Sequence, residues 1–163
     1  MASPAMHKAW PDLYRRMKAG KIATTSKDRE LVVSSRTWLC LYLFEHQYVF
    51  PLDPFRLAKS GSPIRMSYGT GRPSILKDDE SIYGCRLLLQ HPLSIEDDMR
   101  MVSTVELMAI RERVNNNLQP IDRPVDDHTF NVLREADSEF TSWYTTWDRA
   151  FSQKYENASE CFI

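Results

Sequence analysis

Between Leu31 and Phe44 the chain reads LVVSSRTWLCLYLF, and after Arg36 hardly a residue of that run is polar. Ser26 offers an amino-terminal cap, so a helix from about Lys27 to Phe50 would carry Leu31, Val32, Trp38, Leu39, Leu41, Tyr42, Leu43 and Phe44 around nearly its whole circumference. Such a helix needs burial on nearly all sides. A chain of 163 residues hardly supplies enough other helices to surround it. Partner helices outside this chain are therefore expected, and without them marginal stability or self-association.

The remaining segments also read as helices. Ser3-Pro4 marks a helix start, and Trp10, Leu13, Tyr14 and Met17 form an apolar stripe that ends at Gly20. Pro11 predicts a kink or a fresh start at Trp10-Pro11. Residues 51–76 contain Pro51, Pro54, Gly61, Pro63, Gly69, Gly71 and Pro73 and read as loop. Asp78 or Asp79 then caps a short helix through about Gln90, with Ile82, Cys85, Leu88 and Leu89 at helical spacing, and His91-Pro92 stops it. Ser94-Ile95-Glu96-Asp97 has the form of a capping box ahead of a helix from Met99 to Val114, whose apolar face carries Ile95, Met99, Val102, Val105 and Ala109. Asp126 or Asp127 caps a last helix to about Tyr155, in which Leu133, Phe140, Trp147 and Ala136, Trp143, Tyr144, Phe151 recur at three, four and seven. With no strand alternation and no repeat period, the expected fold is all-α, an irregular multi-helix array.

Composition narrows the function. A hydrophobic content of 42% fits a globular chain, and no uninterrupted apolar stretch is long enough to suggest a membrane span or a signal core. The net charge of -1 offers no electrostatic drive toward a polyanion. The basic residues from Lys8 to Arg36 read as a solvated helix face, and the acids Asp78, Asp79, Glu80, Glu96, Asp97 and Asp98 as groups at helix amino-terminal ends.

Cys40, Cys85 and Cys161 are odd in number and scattered, so neither a disulfide framework nor a zinc site is written in them, and Cys40 reads as a small core residue. His7, His46, His91 and His128 lack metal-ligand spacing. Gly69-Thr70-Gly71-Arg72 lacks the preceding strand and the following Gly-Lys-Ser/Thr of a phosphate loop; its glycines read as turn formers and Arg72 as a tie between helices. Glu96, Asp97 and Asp98 read as capping groups rather than an acid–base pair. Met99, Met101 and Met108 read as core, with an adaptable pocket for a small effector as the other reading. Trp143, Tyr144, Trp147 and Phe151 read as helix packing rather than a platform for nucleic-acid bases. Catalytic, cofactor and metal residues are thus all expected to be absent.

One ordered set of segments carries a resemblance. RTWLCLYLFEHQ at Arg36–Gln47 is followed by Ser67, Tyr68, Gly69, Thr70, Gly71, Arg72 and Pro73, then by the acids Asp78–Glu80, and then by a long helix. This order resembles the middle regulatory domain of fungal zinc-cluster transcription factors, of the branch that activates protease or metabolic genes, over about His7 to Glu160. The resemblance implies a partial helical regulatory domain spanning 1–163, with Ser67, Tyr68, Gly69, Gly71, Arg72 and Pro73 as its scaffold turn. It also implies a nuclear parent protein acting on RNA polymerase II genes, with DNA read only through a six-cysteine zinc cluster that three scattered cysteines cannot build. Zinc is expected only in that missing module. The alternative is a stand-alone helical adaptor that binds a partner helix through apolar faces such as Leu31–Phe44.

Residues 48–66 depart from the family order, which would join Gln47 directly to Met66-Ser67-Tyr68-Gly69. Tyr48–Arg65 therefore reads as an atypical inserted loop, longer than the roughly 12 to 15 residues usual for structureless loops in compact domains. Its ends are compatible with translated intron: Gln-Tyr-Val can be encoded by codons containing a GTATGT donor, and Arg65 by a codon beginning AG. The ending Cys161-Phe162-Ile163 is compatible with a second such junction.

Overall fold

The computed structural model describes residues 8–47, 76, 79–118 and 124–160, with side chains described at 8–46, 76, 79–118 and 124–153. Five α-helices occur among them: α1 (Ala9–Lys18), α2 (Ser26–Gln47), α3 (Glu80–Tyr83), α4 (Glu96–Asn117) and α5 (Asp127–Glu160). A 3-10 helix, Cys85–Gln90, follows α3, and no strand occurs among the described residues. The fold is all-α, as the apolar periodicity predicts. The chain divides into two units, Met1–Met108 and Ala109–Ile163. The inserted segment 48–66 and the turn Ser67–Pro73 lie outside the described residues.

In the first unit α1 begins at Ala9 with Pro11 in its first turn, where a missing N–H costs nothing because that donor has no partner inside a helix. The expected helix start at Ser3-Pro4 lies outside the described residues. At its other end Gly20 has φ +67, a left-handed conformation that only glycine adopts readily. Gly20 N–H donates to Met17 O and Lys21 N–H to Arg16 O, both at 2.9 Å, which satisfies two terminal carbonyls and turns the chain toward α2.

The cap of α2 is Thr25, not Ser26. Thr25 Oγ1 accepts from Asp28 N–H at 3.3 Å while the Asp28 carboxylate accepts from Thr25 N–H at 3.3 Å, a reciprocal capping box one residue upstream of the expected cap. Leu31, Val32, Ser35, Trp38, Leu39, Tyr42 and His46 are buried along one side of the helix. Val33, Leu41 and Phe44 are exposed. Among the described residues, burial on all sides of α2 therefore does not occur.

Asp79 is the cap of α3, accepting from Ser81 N–H at 2.9 Å and Ile82 N–H at 3.3 Å. The helix expected to run on to Gln90 instead breaks at Gly84 and continues as the 3-10 segment. At the break a Cβ on Gly84 would lie 2.3 Å from Cε2 of Tyr14, so the Tyr14 ring of α1 fills the space that a larger residue would need. Ile82, Cys85 and Leu88 point inward and are fully buried with Trp10, Leu13, Val32, Leu39, Tyr42, Val102 and Val105. Each such side chain removes enough apolar surface from water to contribute about 1.5–3 kcal/mol.

The start of α4 shows a one-residue shift from the expected capping box. Asp98, rather than Asp97, reaches back to accept from Ile95 N–H at 2.8 Å and from the Ser94 hydroxyl at 3.1 Å. Ile95, placed on the apolar face by periodicity, flanks the helix end instead and is exposed. Val102, Val105, Met108 and Ala109 are buried, while Met99 and Met101 are half-buried.

In the second unit Asp126 caps α5, accepting from Thr129 N–H and Thr129 Oγ1, both at 2.9 Å. Arg113 near the end of α4 pairs with Glu139 of α5. Val132, Ala136 and Trp147 are buried, whereas Leu133 and Tyr144, expected on the apolar face, are exposed. Ala136 and Trp147 are buried as the periodicity placed them, Phe140, Trp143 and Phe151 are half-buried, and Leu133 and Tyr144 stand at the margin of the stripe.

Candidate functional site

The polar groups that tie the first unit together gather around α2. Near its start, Arg16 of α1 donates to Asp28, which also receives the Thr25 hydroxyl. The Thr25 hydrogen bond and the Arg16 charge hold the Asp28 carboxyl below the usual range against the opposing effect of burial. Two turns further on, Arg36 donates through Nε to Asp98 Oδ1 at 2.7 Å and through Nη2 to Asp98 Oδ2 at 2.8 Å. The same Nη2 donates to Leu93 O at 2.7 Å. Burial pushes the Asp98 carboxyl up, but hydrogen bonds from Arg36, Ile95 and Ser94 outweigh it and leave the group below its ordinary value.

His91 lies in the same polar layer and is buried. Its Nδ1 accepts from Leu93 N–H at 3.1 Å, which makes Nδ1 the unprotonated nitrogen. Burial holds its imidazole below the ordinary value, the nearby Asp28 opposes this, and the positive charges of Arg36 and Arg16 add to it. Three contacts complete the frame: Trp10 Nε1–H donates to Ser81 O at 2.9 Å, Tyr14 Oη–H donates to Glu80 at 3.3 Å, and Lys18 pairs with Glu80. Arg86 forks onto Glu106, with Nη2 to Oε2 at 2.8 Å.

This arrangement corrects two expectations about charge. Arg16, Lys18 and Arg36 are not simply a solvated basic face, because each is paired with an acid from a different segment. Asp98 is both a capping group and a buried ion-pair partner, which its position beside two other acids did not reveal. The tie between helices assigned to Arg72 lies outside the described residues, and Arg36 supplies one within them. Sequence reasoning had no signal for the Arg36–Asp98 pair, since 62 residues separate the two.

The other candidates fall apart spatially. Cys40 is exposed rather than in the core, with Sγ 3.8 Å from Met101 Sδ, while Cys85 is the buried cysteine. Burial pushes the Cys85 thiol up to about 12, which removes its nucleophilic form at neutral pH. His46 is buried and stacked on Tyr42, with ring centroids 4.1 Å apart and Nδ1 2.8 Å from Tyr42 O. His128 is exposed on α5. Among the described residues no group of three potential metal ligands comes together. Trp147 is buried against Phe151, with ring centroids 5.9 Å apart, and Tyr144 is exposed beside them. Ser67, Tyr68, Gly69, Gly71, Arg72 and Pro73 lie outside the described residues.

The fold and this polar layer define an all-α scaffold held by interhelical ion pairs. No protein-family model, curated protein or solved structure matches the chain. No helix among the described residues is long and apolar enough to cross a membrane.

Proposed function

We propose that the chain is part of the regulatory domain of a zinc-cluster transcription factor, one that acts in the nucleus on RNA polymerase II genes. The observation that carries this reading is the order of segments in the sequence: the helix ending Leu43-Phe44-Glu45-His46-Gln47, the Ser67–Pro73 motif, an acidic cap, and a long helix. Two features of the fold are compatible with it: Arg36–Gln47 lies within α2, and Asp79 caps the helix that precedes the Arg36 partner on α4. On this reading the chain performs no catalysis, takes no cofactor and holds no zinc itself, because the metal belongs to a separate six-cysteine module that reads DNA. A small effector, if the domain takes one, would have the adaptable Met99, Met101 and Met108 to pack against.

The deciding experiment is to sequence the gene and its transcripts on both sides of the coding region. A six-cysteine cluster encoded upstream and further helices downstream are expected, with codons 48–65 removed from most mature messages. An upstream stop codon in frame with no cluster before it would overturn the reading. The isolated chain is expected to show no sequence-specific DNA binding; a preference of about a thousandfold for one sequence in a mobility shift would contradict that.

A stand-alone helical adaptor is the second reading. It is favoured by the exposed Val33, Leu41 and Phe44 on α2, an apolar face of the kind that a partner helix covers.

A further inference from the structure

The short connector from the 3-10 segment to α4 is held at its two ends by groups of different acidity. At the near end the hydrogen bonds pass through His91. His91 N–H donates to Leu88 O at 3.1 Å, Ser94 N–H donates to His91 O at 2.8 Å, and Leu93 N–H donates to His91 Nδ1 at 3.1 Å. Pro92, exposed between them, has no N–H with which to replace any of these bonds. At the far end Asp98 accepts from Ile95 N–H and the Ser94 hydroxyl and is gripped by Arg36. Arg36 joins the two ends, because its Nη2 also donates to Leu93 O.

We infer that His91 is a proton-operated latch: its protonated ring releases Leu93 and opens the 91–95 connector, while Asp98 still caps α4 and still binds Arg36. The acceptor for Leu93 N–H is the lone pair on Nδ1, and a proton there turns the acceptor into a second donor. Two donors cannot share one hydrogen bond, so the ring and the Leu93 amide must turn apart. His91 is only 3% exposed, and the closed turn leaves water almost no access to its ring. Opening the turn lets water accept from both groups. Burial is the largest influence against the imidazolium, Arg36 of α2 and Arg16 of α1 add to it, and Asp28 of α2 favours it. Asp98 of α4 is engaged by Arg36. The closed latch therefore belongs to the neutral ring and opens as pH falls below the ordinary histidine value of about 6.5. The Asp98 carboxyl is held below its own ordinary value and gives up its charge only below about pH 4. Between the two lies a state with the turn open and the cap intact, a local change of shape rather than a general loss of stability. The latch does not depend on the regulatory-domain reading.

The test is nuclear magnetic resonance of the full chain from pH 7 to about pH 4.5, reading the His91 ring nitrogens and the hydrogen exchange of the Leu93 and Ile95 amides. Exchange rates are corrected for the intrinsic effect of pH. At pH 7 Nδ1 is expected to be unprotonated and both amides protected. As the ring takes up its proton, Leu93 should lose protection by about tenfold or more, while Ile95, held by Asp98, keeps its own. His91→Asn supplies an acceptor that does not titrate, so its Leu93 protection should stay level over the same range. Four results would overturn the latch: a Leu93 amide unprotected at pH 7, a Leu93 amide still protected once the ring is protonated, a ring that stays neutral throughout, or the same loss in His91→Asn. Equal loss at Leu93 and Ile95 would also sink it, because that is the unit unfolding and not one turn opening.

Discussion

Arg36 on α2 grips Asp98 at the start of α4 through both prongs of its guanidinium, Nε at 2.7 Å and Nη2 at 2.8 Å, and the carboxylate is almost wholly shielded from water at 1% exposure. The same carboxylate caps α4 through Ile95 N–H. One ion pair thus sets where α4 begins and how it lies on α2. Replacing Arg36 with Met leaves a buried carboxylate without its cation, a loss of about 3–5 kcal/mol. Lys at 36 should recover only part of it, because a point charge cannot fork onto both oxygens and Leu93 O. Urea denaturation of Arg36→Met, Arg36→Lys and Asp98→Asn checks this. A cost under about 1 kcal/mol for Arg36→Met would contradict the role given to the pair.

Gly84 permits the close approach of Tyr14. Because its φ is negative, alanine there meets no backbone penalty, and the whole cost comes from the ring 2.3 Å away. Gly84→Ala should destabilise by about 1–3 kcal/mol. Tyr14→Leu, which withdraws the ring, should absorb most of that cost, so the two substitutions will be strongly non-additive in a double-mutant cycle. Simple additivity of the two would show that the ring contact is not the cause.

The two described cysteines should differ sharply in reactivity. Cys40 is exposed, whereas Cys85 is fully buried and its thiol is pushed up to about 12. A thiol reagent at neutral pH should modify Cys40 within minutes in the folded chain and reach Cys85 only at the rate of unfolding. Mass spectrometry of labelled peptides reads both rates, and equal labelling would count against the packing around Cys85.

Acid should weaken the first unit in two stages. His91 is held below its ordinary value, so the unfolded chain binds its proton first; the stability this contributes is complete above about pH 6.5 and is lost as pH falls through the folded value. Asp28, Asp98 and Glu80 are likewise held low, and their contribution is lost further down, below about pH 4. His91→Asn keeps an acceptor for Leu93 N–H but does not titrate. Its denaturation midpoint should therefore lose the upper stage and keep the lower one. A His91→Asn chain with an unchanged slope between pH 7 and pH 5 would assign that stage elsewhere.

The helical segments were legible because their signals are local. Apolar residues at three and four, carboxylates before helix starts and glycine after an end act within one or two turns, so α1, α2, α4 and α5 are all readable, with caps displaced by a residue at Thr25 and Asp98. Which face turns inward was readable for α1, where Trp10, Leu13, Tyr14 and Met17 are all buried, but not for all of α2 and α5. Leu133 and Tyr144 look as apolar as Val132 and Trp147, and Cys40 sits in a more apolar run than Cys85, yet in each comparison the structure exposes the former and buries the latter. Hydrophobicity records a side chain's preference for burial, while burial itself depends on which neighbour the fold brings up, and that is a long-range property. The same holds for charge. That Arg36 and Asp98 are ionic is written in the residues, but that they meet across 62 positions, in a layer with His91 and Asp28, was decided only when α2 and α4 were packed.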